Sequence, residues 1–255
     1  MAGHMLITGA GGGIGSATAR MAAARGYAVS LMVRPSGSKE ASVLLDEIAV
    51  KGGEAQVVTA DVTSEGDIVD AFKRAVDRFG PLTVLMNSAG IAYNAPVSAL
   101  GSEDIARVMA VNVVGLMLCC REAVGHMSTE TGGQGGSIVN ISSMAATIGG
   151  RPGASVYAAS KGAVDVFTTG FAREVADQGI RVNSVRPGMI ATKMTANLEH
   201  DAALKKSVEA SIPMKRIGQP EEIAEIVLWL SSPAASFVTG AHINAGGGGF
   251  HIASS

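Results

Sequence analysis

The 255-residue chain has little cysteine, no charge excess of either sign and no long apolar run, and each shortage removes a class of function. Its two cysteines, Cys119 and Cys120, are adjacent within an apolar, helix-like stretch. Neighbouring positions suit neither a structural disulfide nor a metal site that needs several converging ligands, so both read as small buried hydrophobes. The five histidines (His4, His126, His200, His242 and His251) lack metal-ligand spacing, and no metal is expected. Lys and Arg number 20 against 22 Asp and Glu, a formal charge of −2 with no dense basic stripe to neutralise a phosphate backbone. Nucleic acid is not an expected partner. No uninterrupted apolar run is long enough to span a bilayer, and no basic-then-apolar leader is present, so no membrane partner is expected and the cytoplasm is the expected location.

What the chain does have is alternation. Apolar, β-rich runs recur at Met5–Thr8, Ala28–Val33, Ala55–Thr59, Leu82–Asn87, Gly136–Ser142, Ile180–Arg186 and His242–Ala245. Between them lie segments of helical periodicity at Gly13–Arg25, Ser38–Lys51, Ser64–Phe79, Ser102–His126, Ser155–Asp177 and Pro220–Leu230, several of them opening on an apparent Ser cap or an N-terminal Pro. This β-α-β pattern predicts an α/β fold with a seven-stranded parallel sheet covered by helices on both faces. No linker or repeat divides residues 1–255, which read as one domain. Ile190–Pro213 is the one irregular stretch, placed where an insert covers a ligand bound beyond the strand ends.

Two local patterns carry chemistry. The first apolar run breaks into Gly9-Ala-Gly-Gly-Gly13-Ile14-Gly15 and resumes as an Ala-rich helix. Gly9, Gly13 and Gly15 permit a tight turn with no Cβ between backbone and ligand, and the following helix start offers free N–H groups to a pyrophosphate. A strand-turn-helix context of this kind supports dinucleotide binding in a Rossmann-like, doubly wound sheet. The second pattern is Tyr157 and Lys161, four apart on a helix and so roughly 5–6 Å between Cβ atoms. Their closeness predicts that the ammonium favours the phenolate of a ring whose ordinary pKa is about 10, which suits a general acid or base.

In order along the chain stand the glycine turn, Asp61-Val62, Asn87-Ser88-Ala89-Gly90, Asn112-Val113, Ser142-Ser143, Tyr157-x-x-x-Lys161 and Arg181-Val-Asn-Ser-Val-Arg-Pro187-Gly188. From about Met5 to Gly247 this sequence resembles the single-domain short-chain dehydrogenase/reductases. It departs at Ser88, where the family more often has a second Asn, and in a Ser143-to-Tyr157 spacing one residue longer than the common one. The resemblance implies a nicotinamide-dependent oxidoreductase that interconverts a small-molecule carbonyl and an alcohol. Tyr157 would exchange a proton with the substrate oxygen, Ser143 would hydrogen-bond that oxygen, Lys161 would bind the nicotinamide ribose and depress the Tyr157 pKa, and the Asn112 backbone would hold a water. It further implies cofactor contacts at Gly9, Gly12, Gly13, Ile14 and Gly15, at the adenine edge (Asp61, Val62), along the adenosine ribose (Asn87, Ala89, Gly90) and near the nicotinamide (Pro187, Gly188, Ile190, Thr192).

The second strand ends Val33-Arg34, with no acid for a ribose 2′-hydroxyl and a guanidinium for a 2′-phosphate. NADP(H) is therefore favoured over NAD(H), although Gly12 stands where a second base often sits. Pocket walls are expected from Ala145–Ser155, Tyr93–Val97 and Ile190–Leu204, whose Met144, Met189, Met194 and Leu198 suit an apolar or mixed substrate. The stretches Ile105–Arg121 and Ser155–Ala176 are apolar on more than one face, and the resemblance implies that they build a homotetramer, or at least a homodimer. Two other functions use the same residues: a dinucleotide-binding sensor without turnover, and an epimerase or dehydratase that returns the hydride to the same molecule.

Overall fold

The computed structural model describes residues 2–249, apart from the side chains at 197 and 199; His251 lies outside them. Runs rich in Val, Ile, Leu and Met form the strands β1 (Gly3–Thr8), β2 (Tyr27–Val33), β3 (Ala55–Thr59), β4 (Val84–Asn87), β5 (Gly136–Ile141), β6 (Ile180–Pro187) and β7 (His242–Ala245). They make one sheet in the order β3-β2-β1-β4-β5-β6-β7, with every neighbouring pair parallel. The α-helices are α1 (Gly13–Ala24), α2 (Ser38–Val50), α3 (Glu65–Phe79), α4 (Ser102–Met109), α5 (Gly115–Met127), α6 (Ala145–Ile148), α7 (Ser155–Glu174), α8 (Ala202–Ser211) and α9 (Pro220–Ser231).

Successive strand residues face opposite sides, so the sheet carries two cores. Met5, Ile7, Leu31 and Met86 pack on one face against α1, α2 and α9 through Ala22, Leu44 and Val227. Leu6, Met32, Leu85 and Ile138 pack on the other against α3, α5 and α7 through Phe72, Cys119 and Val164. The chain winds from β1 outward to β3 and then returns to the far side of β1 as β4, which opens a crevice at the carboxyl ends of β1 and β4. Parallel register aligns Thr8 with Asn87 and Asn87 with Asn140 along that edge.

Several expectations need adjustment. β1 begins at Gly3, because His4 is buried in the sheet with Nε2 2.8 Å from Ser30 Oγ and Nδ1 3.0 Å from the Gly80 carbonyl. The stretch Ile190–Pro213 is not irregular: it holds a 3₁₀ segment, Lys193–Glu199, and α8, whose Val208 and Ile212 pack with Leu198 and Ile217. Of the expected Ser caps only Ser64 caps a helix with its side chain, accepting from Asp67 N at 3.3 Å; α2, α4 and α7 follow Gly37, Gly101 and Ala154. α4 and α5 join through a π-helical segment, Ala110–Val114, into a 26-residue helix long and apolar enough to cross a membrane. In this fold it is a core helix, with Leu116, Cys119, Cys120, Ala123 and Met127 buried against the sheet.

Candidate active site

The glycine turn is shaped by close backbone approaches. Gly9 has φ +67°, and a Cβ there would stand 2.8 Å from the backbone of Ala89; a Cβ on Gly15 would stand 2.6 Å from the Gly9 carbonyl oxygen. Both positions require glycine. The hydroxyl of Thr8 accepts from the amides of Ser88 and Ala89, each at 3.1 Å, and so ties the β1 end to the β4 end. Thr8 was not among the expected site residues, because its role depends on a partner 80 positions away. α1 carries no acidic residue in its first turn, and the uncapped N–H groups there face an anion without a competing carboxylate. These features fit a pyrophosphate.

Of the remaining expected contacts, Ala89 and Thr192 meet that turn directly. Thr192 comes down on it, since a Cβ built on Gly13 would lie 2.6 Å from Thr192 Cγ2. Thr192 is held by Thr195, whose Oγ1 accepts from Thr192 N at 3.0 Å and donates to the Ile190 carbonyl at 2.7 Å. Pro187 and Gly188 end β6, where the Pro187 carbonyl accepts from Met144 N at 2.9 Å, close to Ser143. Arg34 is exposed just past β2, and a Cβ built on Gly11 would meet Val33, Gly37 and Glu40 at 3.8 to 3.9 Å. Glu40 in turn meets Lys193 at 3.1 Å, linking α2 to the 3₁₀ segment. Asp61 spends its Oδ1 on the turn that follows, accepting from Thr63 N and Thr63 Oγ1 at 2.8 and 2.7 Å, while Val62 packs under Gly115. Asn87 is buried and donates to Asn140 Oδ1 at 3.0 Å, leaving its own Oδ1 unpartnered.

The four residues expected to carry chemistry converge beside this crevice. Asn112 lies in the π-helical segment, where its side chain accepts from Ile91 N at 2.8 Å and donates to the Ile91 carbonyl and Ser160 Oγ at 2.9 and 3.0 Å. That clamp holds the loop after Gly90 against α7. Gly90 sits beneath, where a Cβ would be 3.4 Å from Asn112 Oδ1 and 3.6 Å from Lys161 Nζ. Lys161 is buried; its Nζ donates to the Ile141 carbonyl at 2.8 Å and lies 5.8 Å from the centre of the Tyr157 ring. Burial brings its ammonium down to about 8, with Asp165 pulling the other way. Burial likewise pushes the Tyr157 phenol up, and the Ser143 hydroxyl draws it back. The expected depression by Lys161 is not seen: burial outweighs it, and with its own pKa near 8 the lysine has lost its charge before the phenol ionises.

An apolar cavity of about 270 Å³ lies alongside, lined by Met189, Ile212, Met214, Ile223 and Gly247 and edged by Arg216 and Glu222. Tyr157 and Ser143 do not line it, so it is a neighbour of the reacting centre and not the centre itself. The loops expected to wall the substrate meet through Ala95 N, which donates to the Gly153 carbonyl at 2.9 Å.

The family described as Enoyl-(Acyl carrier protein) reductase matches residues 9–251. The chain belongs to the short-chain dehydrogenase/reductase family. It is 45% identical over 245 residues to an uncharacterized oxidoreductase, YgfF, of Escherichia coli strain K12, covering 95% of this chain and 98% of that one. It is 38% identical over 244 residues to a 3-oxoacyl-[acyl-carrier-protein] reductase of Synechocystis, covering 95% of each. In three dimensions it is similar to a short-chain dehydrogenase/reductase from Serratia marcescens, with a TM-score of 0.88 at 31% identity over 96% of this chain and 97% of that one. As a member of this oxidoreductase family the protein uses a nicotinamide dinucleotide, and its glycine turn and strand-end crevice fit one.

Proposed function

We propose that this short-chain dehydrogenase/reductase is an NADP(H)-preferring enzyme that interconverts a ketone and a secondary alcohol. The convergence of Ser143, Tyr157 and Lys161 beside the Gly9–Gly15 turn carries this reading, because a binder without turnover has no use for a buried phenol next to an ammonium. When bound, the nicotinamide supplies or accepts the hydride. Gly12, Gly13, Ile14 and Gly15 would hold the pyrophosphate, with Asp61, Val62, Asn87, Ala89 and Gly90 toward the adenosine and Pro187, Gly188, Ile190 and Thr192 toward the nicotinamide.

The chain's own residues handle the proton. Tyr157 keeps its proton at neutral pH, since burial holds its pKa up. In reduction it donates that proton to the substrate oxygen, and in oxidation the phenolate takes it back. Ser143 orients the same oxygen by hydrogen bonding, as an electrostatic clamp on charge developing there. Lys161 would hold the ribose of the bound cofactor, and its ammonium near the phenol would lower the cost of forming phenolate. Asn112 holds the loop above it in place.

Among substrates, 3-oxoacyl thioesters, sugars and hydroxysteroids are the candidate classes, and Tyr93, Met144, Met189 and Leu198 would form mixed walls for them. Arg34 favours the 2′-phosphate. The buried thiols Cys119 and Cys120 accord with a reducing cytoplasm. Val114, half exposed on the helix joining α4 and α5, and Val166, 76% exposed on α7, would be covered in a homotetramer, as would Phe237 and Trp229 near β7.

The test is a substrate panel run with NADPH and with NADH, including 3-oxoacyl thioesters, 2-enoyl thioesters, cyclic ketones and sugars. Turnover of ketones with NADPH supports the reading. Turnover confined to the 2-enoyl thioesters, or tight cofactor binding with no turnover anywhere, overturns it; substrate conversion without net cofactor oxidation points to epimerisation or dehydration.

A further inference from the structure

Asp165 follows Lys161 by four residues and shares its face of α7, yet no step described above uses it. It is buried, and three side chains from the sheet surround its carboxylate. From β6, Arg186 Nε donates to Oδ2 at 2.8 Å and Ser184 Oγ lies 3.1 Å from Oδ1. From β7, His242 Nδ1 lies 3.6 Å from Oδ1 and 2.6 Å from Ser184 Oγ. Arg186 also reaches Asn244 of β7 at 3.4 Å. Parallel pairing of Ser184 with His242 brings these residues together.

Hydrogen bonds reach this carboxylate on both oxygens: Ser184 Oγ donates to Oδ1 and Arg186 Nε to Oδ2, one bond on each. Thr169 Oγ1 lies 3.2 Å from the Asp165 carbonyl and 2.9 Å from His242 Nε2. Burial and Arg186 both hold His242 below its ordinary range, against the pull of Asp165, so the neutral ring prevails at neutral pH. The carboxylate is thus fixed in place by a guanidinium and a hydroxyl, four residues along α7 from Lys161.

We propose that Asp165 is a positioning residue that, held by Arg186, keeps the buried Lys161 in its ammonium form, and that Arg186 limits this effect by partly neutralising it. The inference deepens the proposed function, in which that ammonium is needed, and concerns residues that bind neither substrate nor cofactor.

The experiment is a ¹³C NMR titration of the Lys161 ε-carbon in the apoprotein, with Lys161→Arg used only to assign the signal. In Asp165→Asn the Lys161 midpoint is expected to fall by about half a unit or more, and in Arg186→Gln to rise, since a nearby anion stabilises an ammonium and a nearby cation opposes it. Shifts of opposite sign cannot come from general loosening of the fold. Unchanged midpoints, or a fall in both variants, overturn the proposal, and if Asp165→Asn does not fold the Arg186→Gln result decides alone. Carbonyl reduction supplies a second readout: the alkaline limb of its pH profile is expected at lower pH in Asp165→Asn, with little change near pH 6. An equal loss at every pH would instead mark a structural role. Because the titration needs no turnover, it stands even if the proposed reaction fails.

Discussion

Lys161 Nζ is hydrogen-bonded to the carbonyl of Ile141 and lies 5.8 Å from the ring centre of Tyr157. The ammonium is buried where water would otherwise solvate it, and its pKa falls to about 8 from a model-compound value of 10.5. A lysine whose folded pKa is depressed binds fewer protons in the native than in the unfolded chain between those two values, so native stability rises with pH across that window. Below about pH 8 the full cost is present. Lys161→Met is therefore expected to raise stability at pH 7, by on the order of 1–3 kcal/mol, while abolishing turnover. The gain should shrink between about pH 8 and 10. Denaturant midpoints of both proteins at pH 7 and pH 10 check this, and a less stable variant at pH 7 would contradict it.

Gly9→Ala places a Cβ 2.8 Å from the Ala89 backbone at a φ of +67°. The left-handed conformation alone costs about 1–2 kcal/mol for an L-residue, and neither backbone can yield without breaking the Thr8 contacts to Ser88 and Ala89. The variant is expected to lose about 2 kcal/mol or more of stability and at least ~10-fold in cofactor affinity. Thermal unfolding and fluorescence titration with NADPH measure the two effects.

Arg34→Asp exchanges a guanidinium for a carboxylate at the exposed end of β2. Preference is expected to move from NADPH toward NADH, through repulsion of the 2′-phosphate and hydrogen bonding to the 2′-hydroxyl. The ratio of dissociation constants for the two cofactors reports it; an unchanged ratio would place phosphate recognition elsewhere.

Val166→Lys puts a charge on an α7 face that is 76% exposed in the single chain. In a homotetramer built on α5 and α7 this charge would be buried at the interface, and dissociation to smaller species is expected in light scattering. A wild-type chain that already sediments as a monomer would contradict the assembly.

Much of this architecture is readable before any coordinates, for a physical reason. Strands buried on both faces must be nearly continuous apolar runs, and a parallel sheet requires a helix between successive strands, so β1 through β7 and their crossovers stand out. The glycine turn and the Tyr157–Lys161 pair are legible from local spacing, whereas Asn112 and Ser143 are expected only through the family resemblance. What stayed hidden depends on pairing across the sheet. His4 looks like a residue before the first strand until Ser30 and the Gly80 carbonyl are placed beside it. Thr8 gains its role only from Ser88 and Ala89, and Asp165 only when β6 and β7 bring Ser184, Arg186 and His242 to α7. α8 was missed because its apolar side rests on a four-residue cluster, too small to imprint a long period. The Tyr157 pKa goes the other way because spacing gives proximity and not burial, which raises the phenol and lowers the lysine.

The claim that Tyr157 carries the proton is tested most directly by Tyr157→Phe, measured for turnover and for NADPH affinity in the same preparation. Removing the hydroxyl takes away the general acid and leaves the ring, the Lys161 site and the glycine turn in place. Turnover is expected to fall by at least ~10²-fold with the dissociation constant of NADPH changed by less than about threefold. Turnover at the wild-type rate, with folded and cofactor-loaded protein, would contradict the account.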